Sequence, residues 1–330
     1  MRGPSQRQRA SAWQVWVALV IVYLVWGSTY LAMRVMVQTI PPLIGAGVRF
    51  LLAGTVLYPT LLARRGWARV RVTPRQLGAS ALVGLLFLGG GTGLVTVAER
   101  DVPSGLAAVL VASMPLAVVL LRWLAREPIP RATALGVALG FAGVAVLLLP
   151  GNPPPGASAL GLSLTLVAAV SLAAGSFLSS RLPLPEDALV STALELLAAG
   201  VVVTAAGLLT GEVDGLQADR VSGGSLVALG YLIVAGSLLA YTAYVWLLAH
   251  APVSQAATYT YVNPVVAVVL GWLVLDERLT VATLAGTALV VGSVAMVSRG
   301  EPRSARNRVA NGSRSAGSAD QMALTGGDER

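Results

Sequence analysis

Two ionisable side chains stand inside long apolar runs, Arg49 in PPLIGAGVRFLLAG and Glu195 in DALVSTALELLAAG. A charge at the centre of a membrane helix costs roughly 3 kcal/mol or more, so each marks a place where the chain binds a ligand, moves a proton or locks two helices together. Arg49 follows Pro41 at the same spacing as Glu195 follows Asp187. A third group of polar residues lies in PVSQAATYTYVNPVVAVVLGWLVLDERL, from Pro252 to Leu279. Steps of three and four residues return side chains to one helical face, so Gln255, Thr258, Tyr259 and Asn263 are expected on a single polar stripe. Proline at 264 cannot donate to the carbonyl of Thr260, which places the expected break in this helix at Asn263-Pro264. Trp26 and Tyr30 stand one turn apart in an earlier run, and Tyr241 and Tyr244 cluster with Trp246 in a later one. The first four suit the lining of a partly wet, metabolite-sized pocket, while Trp246 suits the lipid interface.

The rest of the composition closes other routes. Cysteine is absent and His250 is the only histidine. That removes disulfides, thiolate metal sites and imidazole-based triads, and leaves no catalytic residue, cofactor or metal site to nominate. The glycine run at 89–91 lacks the lysine and the strand-to-helix setting of a phosphate loop. His250 reads as a helix-end residue. Glu127 and Glu277 read as residues that begin the next helix or pair with Arg131 and Arg278.

The elements that must position these groups are membrane helices. Apolar residues make up 55% of the chain and charged ones 12%, a balance that belongs in a bilayer. Runs near the 20 residues needed to span about 30 Å of hydrocarbon are expected at 13–33, 41–63, 75–98, 103–124, 131–149, 158–179, 188–209, 223–249, 253–275 and 280–298. The fold class is therefore all-α and polytopic, with ten transmembrane helices. All 23 basic residues are arginine, and they fall in short juxtamembrane clusters. With the N-terminus inside, 18 arginines face the cytoplasm and four the outer side, which argues for orientation in a lipid bilayer and against nucleic acid.

The second half repeats the first. Pro103 matches Pro252, Ala107-Ala108 match Ala256-Ala257, and Pro115 matches Pro264. One inserted residue then brings Glu127 onto Glu277 and Gly136 onto Gly286. Five is odd, so a five-helix duplication is inverted in the membrane, and paired interrupted helices in the two halves point to a transporter's binding site. The expected divisions are a disordered cytoplasmic tail at 1–11, a first repeat at 12–150, a second at 157–298 and a disordered tail at 299–330. Inversion also separates Arg49 from Glu195 by about 10 Å along the membrane normal. Glu99, at the end of the third helix, is the expected partner of Arg49, and Glu195 and Glu99 are the candidates for coupling.

Trp26-Gly27-Ser28-Thr29-Tyr30, Pro41-Pro42 followed by Arg49-Phe50, Val102-Pro103-Ser104-Gly105 and Tyr261-Val262-Asn263-Pro264-Val265 together resemble an EamA-type transporter of the drug/metabolite transporter superfamily, in its YedA-like branch. The resemblance covers about 13–298. It implies both termini in the cytoplasm of a bacterial inner membrane, a central cavity between the halves, and secondary efflux of amino acids or related metabolites. Where Asn263 stands, the first half has Met114, so the halves do not supply equivalent polar contacts. The substrate-binding candidates are Trp26, Tyr30, Arg49, Tyr241, Tyr244, Gln255, Tyr259 and Asn263. Multidrug or cation efflux and metabolite uptake are the alternatives within transport, and a homodimer is left open. A membrane enzyme acting on lipid-linked substrates lacks convergent acids, and a non-transporting scaffold is a third reading, which a dry and fully packed cavity would favour.

Overall fold

The computed structural model describes residues 11–149, 157–214, 216 and 218–300. The expected tails, apart from Ser11 and residues 299–300, and the link at 150–156 lie outside the described residues. Helices account for almost all ordered structure, and no strand occurs among the described residues. Among the described residues eight helices are long and apolar enough to cross a membrane: α1 (Ala12–Met36), α2 (Pro42–Arg65), α3 (Pro74–Ala98), α4 (Ser104–Leu124), α5 (Arg131–Leu148), α6 (Ala159–Ser179), α7 (Ala188–Leu209) and α8 (Gly223–His250). Two further apolar helices follow, α9 (Tyr259–Leu275) and α10 (Val281–Gly300). We call the end at which α1 begins the near end and the other the far end.

Local chemistry sets several boundaries. Proline supplies the first residue of α2 and α3, where its missing N–H is harmless. The Oγ atoms of Ser158 and Ser222 accept from Gly161 N at 3.0 Å and Ser225 N at 3.1 Å, capping α6 and α8. Asp187 caps α7 through Leu189 N at 3.0 Å and forms an ion pair with Arg65 at the end of α2. Glu212 accepts from Leu43 N and Ile44 N at 2.9 and 3.1 Å, a carboxylate on the N-terminus of α2 supplied from beyond α7.

The tightest helix pairs join the first half to the second. Helix α2 lies along α7, where a side chain at Gly47 would come within 2.7 Å of the Thr204 backbone and one at Gly54 within 2.8 Å of Leu197. Helix α5 lies along α10, and α3 meets α6 and α7. Small residues permit such backbone contact where no hydrophobic force separates helix from lipid.

Two departures from helical regularity matter for the site. Helices α3 and α8 each contain a π-helical stretch, Leu85–Gly93 and Leu232–Leu239. Such wide turns are uncommon and concentrate at functional sites. Each presents a carbonyl to a donor on a neighbouring helix: Ser171 Oγ donates to Leu86 O at 2.7 Å, and Trp26 Nε1 to Gly236 O at 3.2 Å. The second departure corrects an expectation. The ninth helix breaks at Ala257-Thr258, between a short turn Val253–Ala256 and α9, and Pro264 sits within α9. The proline ring and its missing N–H loosen the preceding turn, and the break forms there rather than at the proline itself. Thr258 and Thr260 return their hydroxyls to the carbonyls of Gln255 and Ala257 at 2.6 and 2.8 Å. In α4 the interruption likewise falls just before Pro115, at Ala112-Ser113, with Ser113 Oγ on Leu110 O at 2.6 Å.

Candidate functional site

Trp26 on α1, Tyr241 and Tyr244 on α8, and Tyr259 at the start of α9 converge. The Trp26 ring centroid lies 5.2 Å from Tyr241, 5.2 Å from Tyr244 and 5.0 Å from Tyr259, and Tyr244 lies 5.4 Å from Tyr259. Three of the four contacts are edge-to-face, the arrangement in which a ring's positive edge meets a negative face. Asn263, one turn after Tyr259, is buried. With its amide nitrogen turned toward α1 it donates to Tyr23 O at 3.3 Å and Tyr259 O at 3.2 Å. The two helices can approach here because α1 carries Gly27, where a Cβ would lie 2.6 Å from the Val266 side chain. The break at 257–258 separates Gln255 from this group, so the stripe expected from a continuous helix holds for Tyr259 and Asn263 and not for Gln255. Gln255 is half-buried, and no hydrogen bond of its side chain occurs among the described residues.

Arg49 lies on the far side of this cluster. It is 5% exposed, its Nε donates to Ser237 Oγ at 2.9 Å, and its guanidinium lies 5.6 Å from the Phe50 ring centroid. Its Nη atoms have no hydrogen-bond partner among the described residues. Gly236, in the π-helical stretch of α8, makes room for it: a Cβ there would lie 3.2 Å from an Arg49 Nη and 3.1 Å from Thr29. Trp26, Arg49 and α8 thus share one junction. The expected Arg49–Glu99 bond does not form: Ser237 takes the Arg49 Nε, and the Glu99 carboxyl oxygens have no hydrogen-bond partner among the described residues. Tyr30 packs against the Leu106 and Met33 clusters rather than among the four rings.

Glu195 lies toward the near end of α7, within electrostatic reach of Tyr241. Its Oε1 accepts from Ser191 Oγ at 2.7 Å, one turn earlier on α7. The α7 backbone at Glu195 presses on α3, where a Cβ at Gly84 would lie 2.7 Å from Glu195 Cα. Arg49 and Glu195 form no ion pair.

The structure also brings in residues that the sequence reading passed over. Tyr23 Oη bonds to Thr258 Oγ1, and Tyr231 Oη to Ser28 Oγ at 2.6 Å. Tyr23 stands three residues before Trp26, a spacing that puts it beside the cluster and could have signalled it. Ser237 gave no comparable signal, being one serine in an apolar run. His250 stacks on Trp246 at 4.4 Å, with Nδ1 2.8 Å from Trp246 O. Glu127 and Glu277 depart from the pairings with Arg131 and Arg278. Glu127 accepts from Arg122 Nε at 2.8 Å and from Arg181, and Glu277 accepts from Ser104 N, Ser104 Oγ and Gly105 N at 2.7, 2.9 and 3.0 Å.

A polar and aromatic junction shared by α1, α2, α8 and α9 suits reversible binding of a small solute, and the pattern of the EamA-like transporter family matches residues 13–149 and again 159–299. The chain belongs to the EamA-like transporter family. Within it the chain falls in the YedA-like branch. It is 40% identical over 286 residues to the uncharacterized inner membrane transporter YedA of Escherichia coli, covering 86% of this chain and 90% of that one. It is 29% identical over 283 residues to the uncharacterized transporter YvbV of Bacillus subtilis, covering 85% and 90%. A solved crystal structure matches with a TM-score of 0.59 at 22% identity, over 87% of this chain and 98% of that one, a likeness of fold alone. The double match gives the two-repeat fold of EamA transporters, and the apolar helices make this a multi-pass membrane protein.

Proposed function

We propose that the chain is a secondary transporter of ten transmembrane helices in two inverted five-helix repeats, bounded at 12–150 and 157–298, with both termini in the cytoplasm of a bacterial inner membrane. It exports amino acids or related small metabolites by alternating access of the two repeats, and it is not an enzyme. The observation that carries this reading is the convergence of Trp26, Tyr241, Tyr244, Tyr259 and Asn263 from α1, α8 and α9, with Arg49 from α2 against the same stretch of α8. A solute held there touches both repeats, so its binding and release follow their relative movement. Arg49 offers Nη donors to a carboxylate, and Glu195 and Glu99 are the acids able to couple solute to protons.

Four aromatic rings around one point also favour a second reading, efflux of organic cations, whose charge is attracted to ring faces. A thermal-shift screen of the purified protein against amino acids, purine metabolites, sugars and quaternary cations separates the two, since a ligand of the folded state raises its apparent stability. Stabilisation by amino acids that disappears in Asn263→Ala and Trp26→Ala supports the first reading. Stabilisation by quaternary cations supports the second, and a response that survives both substitutions removes the site from here.

A further inference from the structure

Glu99 stands one residue beyond α3 at the far end. It is 0% exposed, and neither oxygen of its carboxyl has a hydrogen-bond partner among the described residues. The charged and titratable groups that act on it come from three neighbouring elements: Tyr30 and Arg34 on α1, Arg49 on α2, and Glu277 in the turn between α9 and α10. None of them hydrogen-bonds the Glu99 carboxyl among the described residues. Arg34 donates through one Nη to the backbone carbonyls of Glu99 and Arg100, Arg49 donates through Nε to Ser237, and Glu277 holds the start of α4. On its own element Arg100 pairs with Glu212 at 3.8 Å, and Asp101 accepts from Ser158 Oγ at 2.7 Å.

A bare carboxylate in that position would be a buried charge without a hydrogen bond, with two arginine charges nearby but none bonded to it, which its surroundings disfavour. A proton on one oxygen removes most of that cost. Burial pushes the carboxyl well above its ordinary range, with Glu277 adding to the rise and Arg34 and Arg49 opposing it.

We propose that Glu99 is a proton-binding site. The carboxyl carries an O–H bond while the far end is closed. When that end opens, the bond breaks, the proton passes to water, and the carboxylate is left facing Arg34 and Arg49. The position beside Arg49 gives the exchange a direction. A protonated Glu99 leaves the Arg49 charge uncompensated and favours an anionic group on its free Nη atoms, and an ionised Glu99 opposes that group. This rests on the transport reading only for what crosses the membrane.

The test needs no solute, so its failure is distinguishable from failure of that reading. Thermal melting of purified wild-type protein and Glu99→Gln is followed from about pH 5 to about pH 8. A group that is neutral in the folded state and ionised in the unfolded state contributes its stability below its unfolded pKa and loses it as pH rises. The wild type should therefore lose stability relative to Glu99→Gln as pH rises. Parallel curves overturn the proposal. If Glu99→Gln does not fold, the infrared band of an un-ionised carboxyl is sought at neutral pH in Glu195→Gln, which lacks the acid within α7. A persisting band supports the assignment to Glu99, and its absence overturns it.

Discussion

The turns after α4 and after α9 occupy matching places in the two repeats, and their acids do different work. Glu277 folds back on the far-end start of α4 and satisfies two backbone N–H groups and the Ser104 hydroxyl. Glu127 lies at the near end between Arg122 and Arg181. The reason is steric and electrostatic. A Cβ at Gly271 would lie 2.9 Å from the Glu277 carboxyl carbon and 3.0 Å from Ser104 Oγ, so only glycine leaves room for the fold-back. The matching place before Glu127 is Leu121 or Arg122, according to where the inserted residue falls. There a bulky side chain fills the space, and Arg122 offers a charge instead. A repeat conserves its helices more readily than the contacts at their ends.

Three substitutions test this difference. Glu277→Ala removes three hydrogen bonds to a carboxylate and the charge at a helix N-terminus, and should cost about 2–3 kcal/mol, read as a fall in the midpoint of denaturant unfolding in detergent. Gly271→Ala should cost about 1–2 kcal/mol by overpacking, with little further loss when combined with Glu277→Ala, because both break one contact. Full additivity in that double mutant would show that Gly271 acts elsewhere. Glu127→Ala should cost less than about 1 kcal/mol, because its partners are partly exposed. Its cost should also depend on pH. The bond from Arg122, with Arg181, holds the Glu127 carboxyl below its ordinary range against a smaller opposing effect of burial. The contribution is therefore present above the unfolded pKa and lost as pH falls through the folded one, so wild type and Glu127→Ala should converge in acid. Equal losses from Glu127→Ala and Glu277→Ala at neutral pH would dissolve the contrast.

Hydropathy made much of the fold legible, because lipid demands long apolar runs whose backbone bonds close within the helix. The interruptions were legible only to within a turn. A proline announces that hydrogen bonding fails nearby, but threonine and serine hydroxyls decide which carbonyls are rescued, and that moved the break to 257–258 and took Gln255 off the stripe. Of the candidate residues, Trp26, Tyr241, Tyr244, Tyr259 and Asn263 meet, and Arg49 lies beside them. Tyr30 and Glu195 act on Tyr259 and Tyr241 without joining the ring contacts, and the distribution of charge gave no hint that Ser237 would displace Glu99 as the partner of Arg49. The π-helical stretches left no trace in hydrophobic period, since an apolar run reads alike at either pitch.

The pairing of α2 with α7 and of α5 with α10 has a consequence for biogenesis. As the chain emerges, the glycine-lined face of α2 has nothing to close against until α7 has been inserted, and the start of α4 lacks its carboxylate until the turn after α9 arrives. The first repeat is thus an unfinished surface that waits in the bilayer for the second, and completion of the fold comes at the end of synthesis.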